Sequence, residues 1–163
     1  MPVTIRPADL GDVNNINELA NWYIENTAAN FDTRPWDYAR RREWLDGFQT
    51  PYHCLVADVD GCFAGFACNT RFRPKAAYDS STETTVYVKS DFQGIGVGGS
   101  LYSDLLNRVS GENFHRAYAV ITLPNPTSLK LHQSLGYRAV GTFDEIGLKF
   151  NRYHSVTMLE KKL

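Results

Sequence analysis

The stretch of this sequence best suited to chemistry is Gln93-Gly94-Ile95-Gly96-Val97-Gly98-Gly99. It follows Thr84-Thr85-Val86-Tyr87-Val88, whose β-branched and aromatic residues have strand composition. It precedes Leu101, Leu105, Leu106 and Val109, which recur at helical spacing. The order is therefore strand, glycine-rich loop, helix. Glycines at such a junction allow positive φ and close approach of the backbone to a ligand. The first helical turn then aims unpaired N–H groups, with partial positive charge, at an anion, most often a phosphate. A Walker loop would need a Lys before its Ser or Thr, and Gly99-Ser100 lacks it. A dinucleotide fingerprint is matched in letters by Gly94, Gly96 and Gly99. Its acidic residue at the end of the next strand is missing, because the run from Ala117 ends in Leu123-Pro124. A tight turn that binds nothing is the bland alternative.

Titratable groups flank this stretch. Glu83 stands just before the apolar strand, where partial burial raises a carboxyl pKa toward the range of a general base. Its alternative is a surface carboxylate at a strand end. Arg71, Arg73 and Lys75 precede it. In a strand, their spacing of two puts all three on one face. Arg forks suit carboxylates and phosphinates, while the alternative is three solvated cations.

The remaining chain supplies elements to position these groups. Val3 to Arg6 reads as a strand, followed by a helix capped by Asp9 or Asp12 with Val13, Ile16, Leu19 and Ala20 on its apolar face. Asn26 to Pro35 breaks the pattern and carries Phe31. A second helix is expected from about Asp37 to Phe48, with Arg40, Arg41 and Arg42 on a solvated face. Asp60-Gly61 joins two apolar runs as a hairpin. Later come a strand over His115 to Leu123, a short helix over Ser128 to Leu135 stopped by Gly136, and strands over Tyr137 to Thr142 and Tyr153 to Leu159. The result is an α/β fold with six or seven strands and about four helices.

The 163 residues suit a single domain spanning 1–163. A net charge of −1 gives no support to a nucleic-acid or membrane-surface role. No apolar run reaches the roughly 18 residues of a membrane span, and the start lacks a signal-peptide core. A cytoplasmic protein is expected, with Cys54, Cys62 and Cys68 as buried, reduced thiols. The histidines, His53, His115, His132 and His154, show no metal spacing, so no metal is expected.

The run Gln93-Gly94-Ile95-Gly96-Val97-Gly98 after a strand resembles the coenzyme A pyrophosphate loop of the GNAT superfamily of N-acetyltransferases. Asn125 through Tyr137 resembles the second signature of that superfamily. Within it, Thr27-Ala28-Ala29-Asn30-Phe31, Glu83 to Val88, Leu123-Pro124-Asn125 and Tyr153-His154 are similar to the phosphinothricin and methionine sulfoximine acetyltransferases. The resemblance covers nearly the whole chain. It implies a mixed, mostly antiparallel sheet whose middle strands splay to admit the pantetheine arm, and acetyl-CoA as co-substrate. It implies a Glu83 general base and coenzyme contacts from Val86, Tyr87, Val88, Gln93, Gly94, Ile95, Gly96, Val97, Gly98 and Gly99, with Val86 and Val88 lending backbone groups to the pantetheine, Gln93, Gly94, Gly96 and Gly98 surrounding the pyrophosphate, Val97 and Gly99 adding N–H groups, and Asn125 and Ser128 beyond. Asn125 also suits a helix N-cap. His132 stands where many relatives carry a Tyr near the coenzyme sulfur. It could protonate the leaving thiolate, or simply pack against a carbonyl. Phe31, Arg71, Arg73, Lys75, Tyr78 and His154 are candidates for the acceptor pocket, and the subgroup usually has Arg where Lys75 stands. A small-molecule amine acceptor and a homodimer are implied. The alternatives are acetylation of a protein N-terminus or lysine, and a non-catalytic acyl-CoA sensor.

Overall fold

The computed structural model describes residues 2–163. It contains strands β1 (Val3–Pro7), β2 (Cys54–Val59), β3 (Cys62–Arg71), β4 (Ser81–Val88), β5 (Arg116–Thr122), β6 (Arg138–Lys149) and β7 (Arg152–Lys162). The helices are α1 (Val13–Asn26), α2 (Tyr38–Asp46), α3 (Val97–Ser110) and α4 (Pro126–Ser134). The strands form one sheet in the order β1-β2-β3-β4-β5-β7-β6. Every neighbouring pair is antiparallel except β4 and β5.

Alternation along the central strands explains the layers. On one face Val56, Phe66 and Cys68 meet Val13, Ile16, Leu19 and Ala20 of α1 and Leu45 of α2. On the other, Leu55, Ala57 and Ala67 meet Leu101, Leu105 and Val109 of α3. Leu55 and Val56 are adjacent and point to opposite faces, as the period of two requires. A third cluster joins Tyr102 and Leu106 of α3 to Ala117, Ala119 and Ile121 of β5.

The turns follow local chemistry. Asp9 closes a capping box over the short 3₁₀ turn Leu10–Asp12, ahead of α1. Asp37 accepts from the Arg40 N–H and starts α2. Asp60 (φ 50°) and Gly61 (φ 79°) make the β2–β3 hairpin.

Four expectations need correction. Arg40, Arg41 and Arg42 do not share a solvated face, because successive helical residues are turned by about 100°. Arg41 is 5% exposed. Its guanidinium lies 4.1 Å from the Trp36 ring centroid and 5.0 Å from that of Trp44. Cys62 is exposed at the hairpin mouth, whereas Cys54 and Cys68 are buried. The strand expected to stop at Thr142 continues as β6 to Lys149, through register shifts at Ala139/Gly141 and Phe143/Gly147. Alternation over Arg71, Arg73 and Lys75 does not hold, because β3 ends at Arg71 and Lys75 caps a 3₁₀ turn over Ala76–Tyr78.

The feature that makes a site is a parting of strands. β4 and β5 pair only at Ser81–Arg116, Thr82–Ala117 and Glu83–Tyr118. Beyond that point β4 stays on β3 as far as Val88, and β5 stays on β7 as far as Thr122. The edge of β4 from Thr84 onward therefore faces a gap.

Candidate active site

The gap opens into a cavity of about 870 Å³. β4 from Glu83 to Val88 and β5 from Ala119 to Thr122 form its walls. Gly94, Gly96, Gly98 and Gly99 lie at one end, while Phe31 and His154 also line it.

The glycine end is built by backbone conformation. Gly96 is the N-cap residue of α3 with φ 93°, and Gly94 has φ 77°. Both values lie where a side chain is strained. A Cβ added at either would meet no protein atom within 4 Å, so the space beside them is open. No side chain caps α3. Ser100 N–H to Gly96 carbonyl, 3.0 Å, is an ordinary helical bond, while the N–H groups of Val97, Gly98 and Gly99 precede it in the first turn. That is the geometry of an anion site. Ile95 is 47% exposed and Val97 is fully buried, and neither side chain lines the cavity. What these two can offer is main chain. The Gln93 amide is already engaged: its Nε2 donates to the Val88 carbonyl (3.2 Å) and the Tyr23 hydroxyl (3.0 Å), which itself donates to Val88 (2.8 Å). These bonds lock the loop onto β4 and α1. Asn125 Oδ1 accepts from Ser128 N–H at 3.1 Å and caps α4, with Pro126 next to it.

Glu83 sits at the last β4–β5 pair, where the walls part. Burial pushes its carboxyl above the usual range, and the positive charge of Arg73 opposes that shift. Arg73 rests 5.0 Å over the Phe72 ring, and Phe72 stacks at 4.5 Å on Tyr118, the register partner of Glu83.

His132 is 3% exposed at the cavity wall. Its Nδ1 lies 2.7 Å from the Ser128 carbonyl, so that nitrogen carries a proton. Its Nε2 lies 3.0 Å from the Tyr102 hydroxyl. Tyr102 in turn lies 2.5 Å from Thr84 Oγ1, which also meets the Tyr137 hydroxyl (2.7 Å) and the Tyr118 carbonyl (3.1 Å). Burial lowers the imidazole pKa, which favours the neutral ring. In the neutral state Tyr102 donates to Nε2 and Thr84 donates to Tyr102. In the protonated state Nε2 donates to Tyr102, Tyr102 donates to Thr84, and Thr84 donates to the Tyr118 carbonyl. Every proton has an acceptor in both states.

A comparison with protein families matches residues 16–137 to the acetyltransferase (GNAT) family. The chain belongs to that family. It is 40% identical to a phosphinothricin N-acetyltransferase of Streptomyces coelicolor over 99% of this chain and 96% of the relative. It is 32% identical to an L-methionine sulfoximine/L-methionine sulfone acetyltransferase of Pseudomonas aeruginosa, over 100% and 96%. The fold matches a GNAT superfamily phosphinothricin acetyltransferase of Sinorhizobium meliloti, solved in complex with acetyl-CoA, with a TM-score of 0.95. There the identity is 28%, covering 100% of this chain and 89% of that one.

The other residues expected at a GNAT acceptor pocket divide into two groups. Phe31 and His154 line the cavity, the His154 ring packing edge-on to Phe31 at 6.3 Å. Arg71, Arg73, Lys75 and Tyr78 do not line it. Arg71 is tied to Asp79 at 2.8 Å, and Tyr78 packs edge-on to Phe72 at 5.9 Å. Sequence reasoning missed Tyr23, Asn30, Thr84 and Arg152, all of which line the cavity. The spacing of Arg152, His154 and Val156 by two is the one signal that could have placed Arg152 beside His154. Among the described residues no group of three or more His, Cys, Asp or Glu side chains is arranged to hold a metal.

Proposed function

We propose that the chain is an acetyl-CoA-dependent N-acetyltransferase acting on the amine of a small amino-acid-like acceptor, of the phosphinothricin or methionine sulfoximine type, by direct attack in a ternary complex. The carrying observation is a half-buried carboxyl, Glu83, in one cavity with the bare N-terminus of α3. The open space beside Gly94 and Gly96 and the N–H groups of Val97, Gly98 and Gly99 fit a pyrophosphate. The free edge of β4 from Thr84 to Val88 offers main-chain partners to an amide-bearing arm.

Acetyl-CoA, when bound, supplies the thioester carbonyl. Glu83 accepts a proton from the acceptor ammonium, directly or through water, and leaves a nucleophilic amine. The nitrogen bonds to the carbonyl carbon as the carbon–sulfur bond breaks, and the second proton that the new amide nitrogen sheds passes to solvent. His132 is the donor this reading assigns to the departing thiolate, and its imidazolium form must turn the Nε2 proton away from the Tyr102 hydroxyl to give it up, because Nδ1 stays on the Ser128 carbonyl. Burial makes that form scarce and therefore a strong acid. Phe31 and His154 wall the acceptor, and Arg73, whose charge is felt at Glu83, is the best placed of the three upstream cations to draw in an anionic group. A homodimer and a cytoplasmic location complete this reading. Exposed Val140, Phe143, Ile146 and Leu148 on edge strand β6 and Tyr153 on β7 support the dimer. Three free cysteines support a reducing compartment.

A thiol-release assay with acetyl-CoA tests this. The amine panel contains methionine sulfoximine, phosphinothricin, alkylamines of equal length, a polyamine and peptides with free N-termini or lysines. Preference for the two amino-acid analogues is expected. Preference for alkylamines or peptides overturns the acceptor class, and thiol release with none of them overturns the enzyme reading.

A further inference from the structure

The loop that follows α1 carries Asn30 and Phe31 into the cavity wall, and two residues of β6 hold it there. The Phe31 ring lies directly on Gly147. A Cβ built at Gly147 would stand 2.2 Å from Phe31 Cε2 and 2.5 Å from Cζ, so no larger residue leaves that seat free. Two positions further along β6, Lys149 is 5% exposed and its Nζ donates to the Asn30 carbonyl at 2.6 Å. Lys149 has no carboxylate within ion-pair distance among the described residues. A buried ammonium is costly to place, and here its strong hydrogen bond goes to the backbone of a loop. Within the loop, Thr27 Oγ1 accepts from Ala29 N–H (3.1 Å) and Asn30 Oδ1 from Asp32 N–H (2.8 Å). The loop is folded on itself and fastened to β6 at two adjacent points.

We propose that Gly147 and Lys149 are specificity-determining positioning residues: they fasten the loop so that Phe31 becomes a fixed wall, and thereby set the acceptor side-chain length. Neither side chain lines the cavity. Phe31 touches Gly147 and itself lines the cavity, so a methyl at 147 pushes the ring off β6 and changes the acceptor space that Phe31 bounds. What yields is the tip of a 40% exposed side chain rather than backbone. The effect therefore falls on acceptor size rather than on folding. The size readout rests on the acetyltransferase reading above; the fastening itself does not.

The test is a double-mutant cycle between 31 and 147, with a series of α-amino acids of increasing unbranched side-chain length as acceptors. Gly147→Ala is expected to raise the acceptor KM about tenfold for long members and little for short ones, with acetyl-CoA KM within about twofold and kcat within about threefold. Phe31→Ala should broaden the length range, and adding Gly147→Ala to it should change nothing further. An equal Gly147→Ala effect with and without Phe31 overturns the proposal. If Gly147→Ala does not fold, the double variant must fold and match Phe31→Ala; its failure also overturns the proposal. Lys149→Met should speed hydrogen exchange of residues 27–31 at least about tenfold without acceleration in α3. Unchanged exchange overturns Lys149 as a fastener. The exchange comparison stands even if no amine is acetylated, so the fastening and the enzyme reading fail by different results.

Discussion

Replacing Glu83 by Gln keeps the side chain's size and removes its capacity to accept a proton. General-base catalysis contributes about 10²–10⁴-fold, so kcat should fall by that factor, equivalent to about 3–5 kcal/mol of transition-state stabilisation. The raised pKa makes the same variant a stability test with the opposite sign. A carboxyl whose folded pKa exceeds its unfolded value binds its proton more tightly in the native state. Its contribution is therefore favourable at low pH. That contribution is lost as pH rises from the ordinary value of about 4.3 through the raised one, leaving a buried carboxylate as a burden above it. Glu83→Gln should accordingly melt at or above the wild-type temperature at pH 7–8, and the difference should close below about pH 4. Activity of the wild type should show an acid limb above the usual carboxylate range. Arg73→Ala, which removes the opposing charge, should move that limb to higher pH. The assays are single-turnover kinetics, so that chemistry is observed rather than product release, and calorimetry across pH. Near-wild-type single-turnover rates in Glu83→Gln, or a melting temperature lowered by several degrees, would refute Glu83 as a buried base.

Gly96→Glu places bulk and negative charge in the αL position beside the α3 N-terminus, and should raise the acetyl-CoA KM strongly with the fold retained; an unchanged KM in folded protein would displace the pyrophosphate from this loop. His132→Ala should lower kcat about tenfold or more per folded molecule, and should also lower the melting temperature because Tyr102 loses a partner. Full specific activity in the folded fraction would leave His132 a packing role alone. Arg73→Ala should raise the acceptor KM and spare that for acetyl-CoA, whereas Lys75→Ala, on the turn outside the cavity, should change neither; a silent Arg73→Ala would take the anion contact away from this cation.

The strand, glycine loop and helix from Thr84 to Ser110 were legible because composition, breakers and periodicity all agree there. The order of the sheet was not: the family resemblance implies a mixed, mostly antiparallel sheet with splayed middle strands, and the strand order is legible only in the structure. The sequence shows β6 only as far as Thr142 because it is an edge strand with two register shifts, so inward and outward residues do not alternate cleanly past that point. The burial of Arg41 is not legible, because nothing in a basic triplet tells which member meets Trp36 and Trp44. The Thr84–Tyr102–Tyr137 hydroxyl cluster spans 53 positions, and single tyrosines in apolar runs read as ordinary core residues. Gln93 lines the cavity as expected of a residue beside the coenzyme, and nothing in its spacing tells that its amide also ties the loop to Tyr23 and Val88. Local signals found the elements that make the site, and missed the side chains whose partners are distant in sequence.

The parting of β4 from β5 also bears on how the protein resists unfolding. Only three residue pairs stitch a four-stranded block to a three-stranded one. Mechanically the sheet is two panels sharing a short seam. An extended ligand arm lying along the vacant edge of β4 would act as a partial eighth strand and replace rungs that the polypeptide itself leaves out. Ligand should then raise not only the melting temperature but also the sharpness of the transition, by making the two panels melt as one. Without it, hydrogen exchange should be fastest where the seam ends, beside Glu83 and Tyr118, and slow toward the interior of each panel.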